Sequence, residues 1–419
     1  MLKFSFIIPA YNNDKLLINT LTALNMQKGY GINDYEVIVV DDGSPIRLID
    51  SISFVPKNYQ LQYVYIKRDK DSCRSAARNR GLAVARGKII IFIDSDMIVN
   101  ENYLSEVDRC FNSACEIGQD ICLMSTRIYA DREITPVEIE DKLVFNSFNY
   151  KAKNIQYFEN RHVIFNKSSY NANLLIAPWL FTYSCNLAIQ KKDIDLISGF
   201  DENFKGWGYE DLDFGYQLYK KGVKIVLNSR MEAIHQYHGE KSLFFSWAVD
   251  KSNQHISNGN YFFEKNKDID GIIPYFHNRK SYNLLRKYKL NFLISLNLFG
   301  LKEAKGRKKY KIYFENSEEL NIVKKQLEDL SKSNSDSIAY IYDYTENTDL
   351  DIWVQLMDSN KCLVKYWPKS RAGKNITMKA FFILFMLNSV ALGIYLKIHA
   401  VFTALYNLCS KILPKSVES

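Results

Sequence analysis

Three sets of side chains in this sequence have the types and spacing to do chemistry. The first lies in the run Phe204-Lys205-Gly206-Trp207-Gly208-Tyr209-Glu210-Asp211, where a glycine-flanked tryptophan precedes adjacent carboxylates. Carboxylates at a helix start are favoured by the helix dipole, so charge placement is the plain reading. Glycines on both sides of an aromatic ring suggest more: a backbone pressed close to a neighbour, with the ring left as a platform.

The second set is Asp94-Ser95-Asp96, directly after the apolar run Ile89 to Ile93. That spacing can hold a hard divalent cation, Mg²⁺ or Mn²⁺, between a protein carboxylate and phosphate oxygens. Uncompensated carboxylates at the end of a buried strand would be costly, which favours a site over an exposed turn. The third set is basic. Ser75 to Gly81 reads as helix and brings Arg74, Arg78 and Arg80 within reach of a pyrophosphate, although a solvent-facing basic stripe reads equally well for part of it. His235 and His238, two of six histidines, lie within four residues of each other. Either could complete a metal site with Asp96.

The elements that must position these groups are legible in the first half of the chain. Short apolar runs alternate with helical patterns, as in a mainly parallel sheet with crossover helices. Strands are expected at Phe4–Ile8, Tyr35–Val40, Leu61–Ile66, Lys88–Ile93, Thr182–Ile189 and Val223–Leu227. Helices are expected at Asp14–Leu24, Ser75–Ala85, Val137–Phe148 and from Glu210 to Lys221, the last stopped by Gly222. Asp41-Asp42-Gly43-Ser44 and Asp94-Ser95-Asp96 then sit at carboxyl ends of parallel strands, where open α/β sheets bind ligands.

At 419 residues the chain is too long for one small core. Its hydrophobic content of 47% and charged content of 24% are those of a folded globular protein. Net charge is +8, with much of the excess in the last third. Those lysine and arginine clusters suit a solvated face or an anionic membrane surface; a nucleic-acid partner is not expected. Seven scattered cysteines without a Cys-x-x-Cys pair suit a reducing compartment. The apolar run Phe4 to Pro9 is too short for a secretory h-region and reads as a strand. Tyr310–Phe314, Glu318–Leu330 and Ser337–Tyr342 read as a small α/β unit. Ala380 to Leu396 is an apolar segment at the lower edge for spanning a bilayer, with a buried hairpin or an in-plane anchor as alternatives.

Taken in order, Ile8-Pro9-Ala10-Tyr11-Asn12, Val40-Asp41-Asp42-Gly43-Ser44, Ala77-Arg78-Asn79-Arg80-Gly81 and Asp94-Ser95-Asp96 resemble a family 2 glycosyltransferase of the GT-A fold. Ser198-Gly199-Phe200-Asp201-Glu202-Asn203-Phe204, running into Gly206 to Asp211, resembles the acceptor half of galactosyltransferases and chondroitin-type polymerases. The likeness covers about residues 1 to 250. It implies that Pro9, Tyr11, Asp41 and Asp42 line the nucleobase and ribose. Arg78, Asp94 and Ser95 would join the nucleotide-sugar site, and Asp96 would ligate the metal with His235 or His238, depending on the alignment. It further implies Asp211 as general base, Glu210 as a sugar contact beside it, and Trp207 with Gly208 on the acceptor side. A Gln-x-x-Arg-Trp motif, several membrane helices and a second catalytic unit are missing, so processive extension through a membrane channel is not expected.

The expectation is therefore an α/β protein. A Rossmann-like GT-A domain covers residues 1–265, an accessory region of unassigned role 266–375, and an apolar helical tail 376–413. Its expected activity is inverting, metal-dependent sugar transfer from a nucleotide-sugar, UDP-linked, to a glycan or glycolipid in bacterial surface polysaccharide synthesis. A protein or peptide acceptor is the alternative within enzymes, and a non-catalytic nucleotide-sugar or glycan-binding module is the alternative outside them. The expected location is cytoplasmic, with the tail attaching the chain to the inner face of the membrane.

Overall fold

A computed structural model describes residues 2–52, 58–147, 159, 161–239, 246–269, 306–333, 335–345, 348–357 and 361–368. The core strands are β-branched and aromatic runs buried on both faces, which only a sheet covered on two sides can accommodate. They are β1 (Phe4–Ala10), β2 (Tyr35–Asp41) and β4 (Ile89–Ile93), with β3 (Gln60–Tyr65) a partly exposed strand at the sheet edge. Every residue of β2 and β4 is buried. Two short strands follow, β5 (Met97–Val99) and β6 (Ile121–Met124), then β7 (Arg127–Tyr129), β8 (Asn186–Gln190), β9 (Lys224–Leu227) and β10 (Ala233–His235).

Seven strands form the main sheet in the order β3-β2-β1-β4-β8-β6-β9. Pairings from β3 to β4 are parallel, as is β6 with β9, while β8 runs antiparallel to both its neighbours. Strand order turns back at β1, between β2 and β4, so the carboxyl ends of these strands border the crevice where such sheets bind ligands. The helix Arg74–Val84 packs tightly over β1: a Cβ on Gly81 would stand 2.5 Å from Ile7 Cγ2. A smaller sheet, β5-β10-β7, lies beyond the end of β4 and carries His235.

Two local expectations change. Residues 137–148 do not make one helix: Pro136–Glu140 and Val144–Ser147 are separated at Lys142, which takes φ +60. The strand expected from Thr182 begins at Asn186, because Thr182 donates to Trp179 O at 2.7 Å and closes the 3-10 turn Pro178–Phe181.

The small α/β unit is larger than its sequence pattern shows. Strands β11 (Lys308–Phe314), β12 (Ser337–Asp343) and β13 (Cys362–Pro368) are parallel and alternate with helices Leu320–Lys332 and Thr348–Leu356. It packs on β9, the edge of the main sheet. Gln355 donates to Leu227 O at 2.8 Å and accepts from Leu227 N at 2.9 Å, standing in for one residue of a further strand. Ile352 and Leu356 enter the hydrophobic core of the main sheet. No helix among the described residues is long and apolar enough to cross a membrane; the tail 376–413 lies outside them.

Candidate active site

The Gly206–Asp211 run is built from backbone that side chains resist. Gly206, Gly208 and Tyr209 have φ of +74, +96 and +72, so the chain coils into the helix Glu210–Lys220 through three left-handed residues. The neighbour pressed against it is the helix Ser246–Lys265. A Cβ on Gly208 would meet His255 Nδ1 at 2.7 Å, and Asn258 Nδ2 donates to the carbonyls of Lys205 and Gly208 at 2.9 Å each. The ring of His255 lies against Trp207 and Tyr209. Trp207 keeps 36% of its surface exposed.

That coil delivers Glu210 and Asp211 to Arg78. The guanidinium, 2% exposed, lies 3.5 Å from Glu210 Oε1, 3.5 Å from Asp211 Oδ1 and 3.6 Å from Asp94 Oδ1. One cation thus joins the strand-end carboxylate to the helix-start pair. Arg78 thus faces three carboxylates at once. Burial pushes the Glu210 carboxyl up, and the charge of Asp211 adds to this, while Arg78 opposes it. Asp94 is raised by desolvation against the pull of Arg78, with Asp96 and Asp211 adding to the rise. Asp211 receives a hydrogen bond from Ser184 Oγ at 2.6 Å.

At the other end, Asp96, His235 and His238 offer ligand atoms within 4.8 Å of one another. Nε2 of His238 is 2.8 Å and Nε2 of His235 is 3.5 Å from Asp96 Oδ2. Burial pushes His235 down to about 4, despite the attraction of Asp96. Its Nδ1 is 3.0 Å from Gln236 O, and a carbonyl can only accept, so that nitrogen carries the proton. The Nε2 lone pair therefore faces a carboxylate. Burial alone would raise Asp96, but in the acid range where it titrates His235 is protonated, and that charge together with the hydrogen bond from His238 holds Asp96 down to about 2. Among the described residues, Asp96 Oδ1 is buried without a hydrogen-bond partner. Two acceptors facing each other beside an unmatched buried oxygen are a donor set suited to a cation.

The expected nucleotide residues divide. Tyr11 is 45% exposed at the end of β1, with the Arg68 guanidinium 4.2 Å above its ring and paired at 3.1 Å with Asp42 Oδ2. Pro9 lies beside it in β1. Asp41 is different: it is fully buried and its oxygens accept from Ser44 N, Leu48 N and Tyr63 Oη, so it shapes the turn. Ser95 is also buried and accepts from Asn13 Nδ2 at 2.5 Å. Sequence reasoning missed Arg68, Ser184 and His255, none of which stands in a motif. It also missed Arg127 on β7, whose charge acts on Asp94, Asp96 and His235.

A GT-A-like α/β domain with carboxylates at its strand ends is the class that fold and site define. Residues 5–175 match the family model for glycosyl transferase family 2, and residues 173–240 match that for the N-terminal domain of galactosyltransferase. The similarity to glycosyl transferase family 2 thus covers residues 5–175, and a galactosyltransferase-like segment continues it to residue 240. Chondroitin synthase of Escherichia coli is 30% identical over 243 residues, covering 55% of this chain and 34% of that protein. Hyaluronan synthase of Pasteurella multocida is 30% identical over 247 residues, covering 55% and 24%. Validoxylamine A glucosyltransferase of Streptomyces hygroscopicus subsp. limoneus is 26% identical over 243 residues, covering 56% and 51%. The chain thus spans about half the length of the last relative and less of the two synthases. Staphylococcus aureus TarS 1-349 superposes with a TM-score of 0.43 at 15% identity over 79% of each chain, too slight a likeness to argue from.

Proposed function

We propose that this chain is an inverting, divalent-cation-dependent glycosyltransferase that moves a sugar from a UDP-linked donor to a glycan or glycolipid acceptor in bacterial surface polysaccharide synthesis. The observation that carries this is Arg78, which brings Asp94 of the donor side within 4 Å of the same guanidinium as Glu210 and Asp211. Donor-side and acceptor-side motifs, more than a hundred residues apart in the chain, thereby share one small site. The names of the polysaccharide synthases among its relatives support the substrate class. The proposed place of action is the cytoplasm, at the inner face of the membrane.

Asp211 takes the proton of the acceptor hydroxyl. The freed oxygen pair bonds to the anomeric carbon as the bond from that carbon to the diphosphate oxygen breaks, so UDP leaves with that electron pair and the configuration inverts. Ser184 fixes the carboxylate that receives the proton. Glu210, its carboxyl raised by burial, is suited to hold a sugar hydroxyl while Asp211 acts as base. Tyr11 offers an exposed ring for the nucleobase, with Asp42 and Arg68 beside it. Trp207 offers a ring to the acceptor. Asp96, His235 and His238 would hold the cation, which when bound stabilises negative charge on the leaving diphosphate.

The test is Asp211→Asn, assayed for UDP release from nucleotide-sugars with Mn²⁺. Transfer should fall at least a thousandfold while Mn²⁺ and UDP still raise the melting temperature. Turnover near the wild-type rate would remove Asp211 as base. A wild-type protein that binds neither Mn²⁺ nor any nucleotide would overturn the whole proposal.

A further inference from the structure

The C-terminal β11-β12-β13 sheet has two faces of opposite character. Phe314, Ala339, Ile341, Val364 and Tyr366 point to the helices Leu320–Lys332 and Thr348–Leu356 and form a small buried core. Side chains alternate along a strand, so the register places two other rows on the opposite face. Tyr313, Tyr342 and Trp367 form one row, their rings stacked at 5.2 and 5.9 Å with planes 16° apart. Lys311, Tyr340 and Lys365 form the next; beyond them Lys309 on β11 stands level with Ile338 and Leu363, both buried. Neither row contains a carboxylate. Tyr313 is 54% exposed, Lys309 and Lys311 are exposed, and the other members of both rows are partly exposed.

We propose that this face docks on an anionic bilayer surface. Aromatic rings at headgroup depth together with lysines drawn to anionic lipid are the composition that such a surface selects. The second observation is where the chain goes next. β13 ends at Pro368, and residues 380–396 are seventeen consecutive residues without a charge, flanked by Lys379 and Lys397. Only residues 368–379 separate that run from Trp367, so a bilayer holding the run passes within roughly 40 Å of the aromatic row. The face gives the tail a partner: one apolar insertion and one polybasic, aromatic contact, the two-signal arrangement that makes peripheral attachment stable. This docking does not depend on the sugar-transfer reading.

The experiment is flotation of the full chain with phosphatidylcholine vesicles, with and without phosphatidylglycerol. Lys309→Ala/Lys311→Ala should weaken binding to the anionic vesicles at least tenfold and leave binding to neutral vesicles unchanged. Tyr313→Ser should weaken both. A control, Lys221→Ala/Lys332→Ala, removes two exposed lysines elsewhere and should behave as wild type. If the Lys309/Lys311 variant floats like wild type on anionic vesicles, the tail alone anchors the chain and the proposal fails. It fails together with tail attachment if the wild-type chain binds no vesicle. Unchanged flotation combined with loss of a wild-type dimer in sedimentation would assign the face to a second copy instead, and would also overturn it.

Discussion

Ser184 Oγ donates to Asp211 Oδ1 across 2.6 Å, and Thr182 Oγ1, which shares its one proton with Trp179 O, approaches the Asp211 carbonyl at 3.1 Å. The segment just before β8 therefore fixes both the backbone and the carboxylate of the proposed base. Ser184→Ala should let the carboxylate rotate without emptying the site. The expected result is a kcat about tenfold lower with donor KM within twofold, measured by UDP release. An unchanged kcat would reduce Ser184 to a structural hydroxyl.

Arg78 is the only cation placed among Asp94, Glu210 and Asp211 by the ion pairs of the described residues. Removing one partner of buried charges leaves the others uncompensated, at a cost of about 3–5 kcal/mol. Arg78→Met should lower the denaturant midpoint accordingly and abolish transfer. Adding Glu210→Gln should recover part of that stability but not the activity. Without such recovery, the loss would not come from charge.

Gln355 makes the join between the C-terminal unit and the sheet edge. It is 1% exposed, and Gln355→Ala would leave Leu227 N and O, both buried, without that partner. Stability should drop by about 2–4 kcal/mol, seen as a lower urea midpoint for the whole described unit. A separate early transition confined to residues 308–368 would instead show that the unit folds independently.

Asp193 gives a pH signature away from the site. It is 1% exposed, Oδ2 has no hydrogen-bond partner among the described residues, and burial, with Asp120 adding, raises its carboxyl to about 6. An unfolded aspartate titrates near 3.9. The folded state therefore binds the extra proton between those values, and stability from this group is lost as pH rises from about 4 to about 6. Asp193→Asn should be more stable than wild type by roughly 2–3 kcal/mol at pH 7 and equal to it near pH 4. Equal urea midpoints at pH 7 would refute the shift.

What the sequence determined by itself was the strand-and-helix alternation of the first half and the candidate residues within its motifs. Periods of two and 3.6 in apolar residues are local, so Phe4–Ala10, Tyr35–Asp41 and the helix from Glu210 were legible without neighbours. So was the pressed backbone of Gly206-Trp207-Gly208, although not what pressed it. Tertiary structure decided the rest, because it depended on who stands opposite whom. It gave Arg78 to three carboxylates and buried Asp41 in its own turn. It also set His235 beside Asp96 on a strand of three residues, too short to show a period. Ser184, Arg68, His255 and Gln355 belong to no motif; only chain folding, which brings residues far apart in sequence within hydrogen-bonding or ring contact, gives them a role.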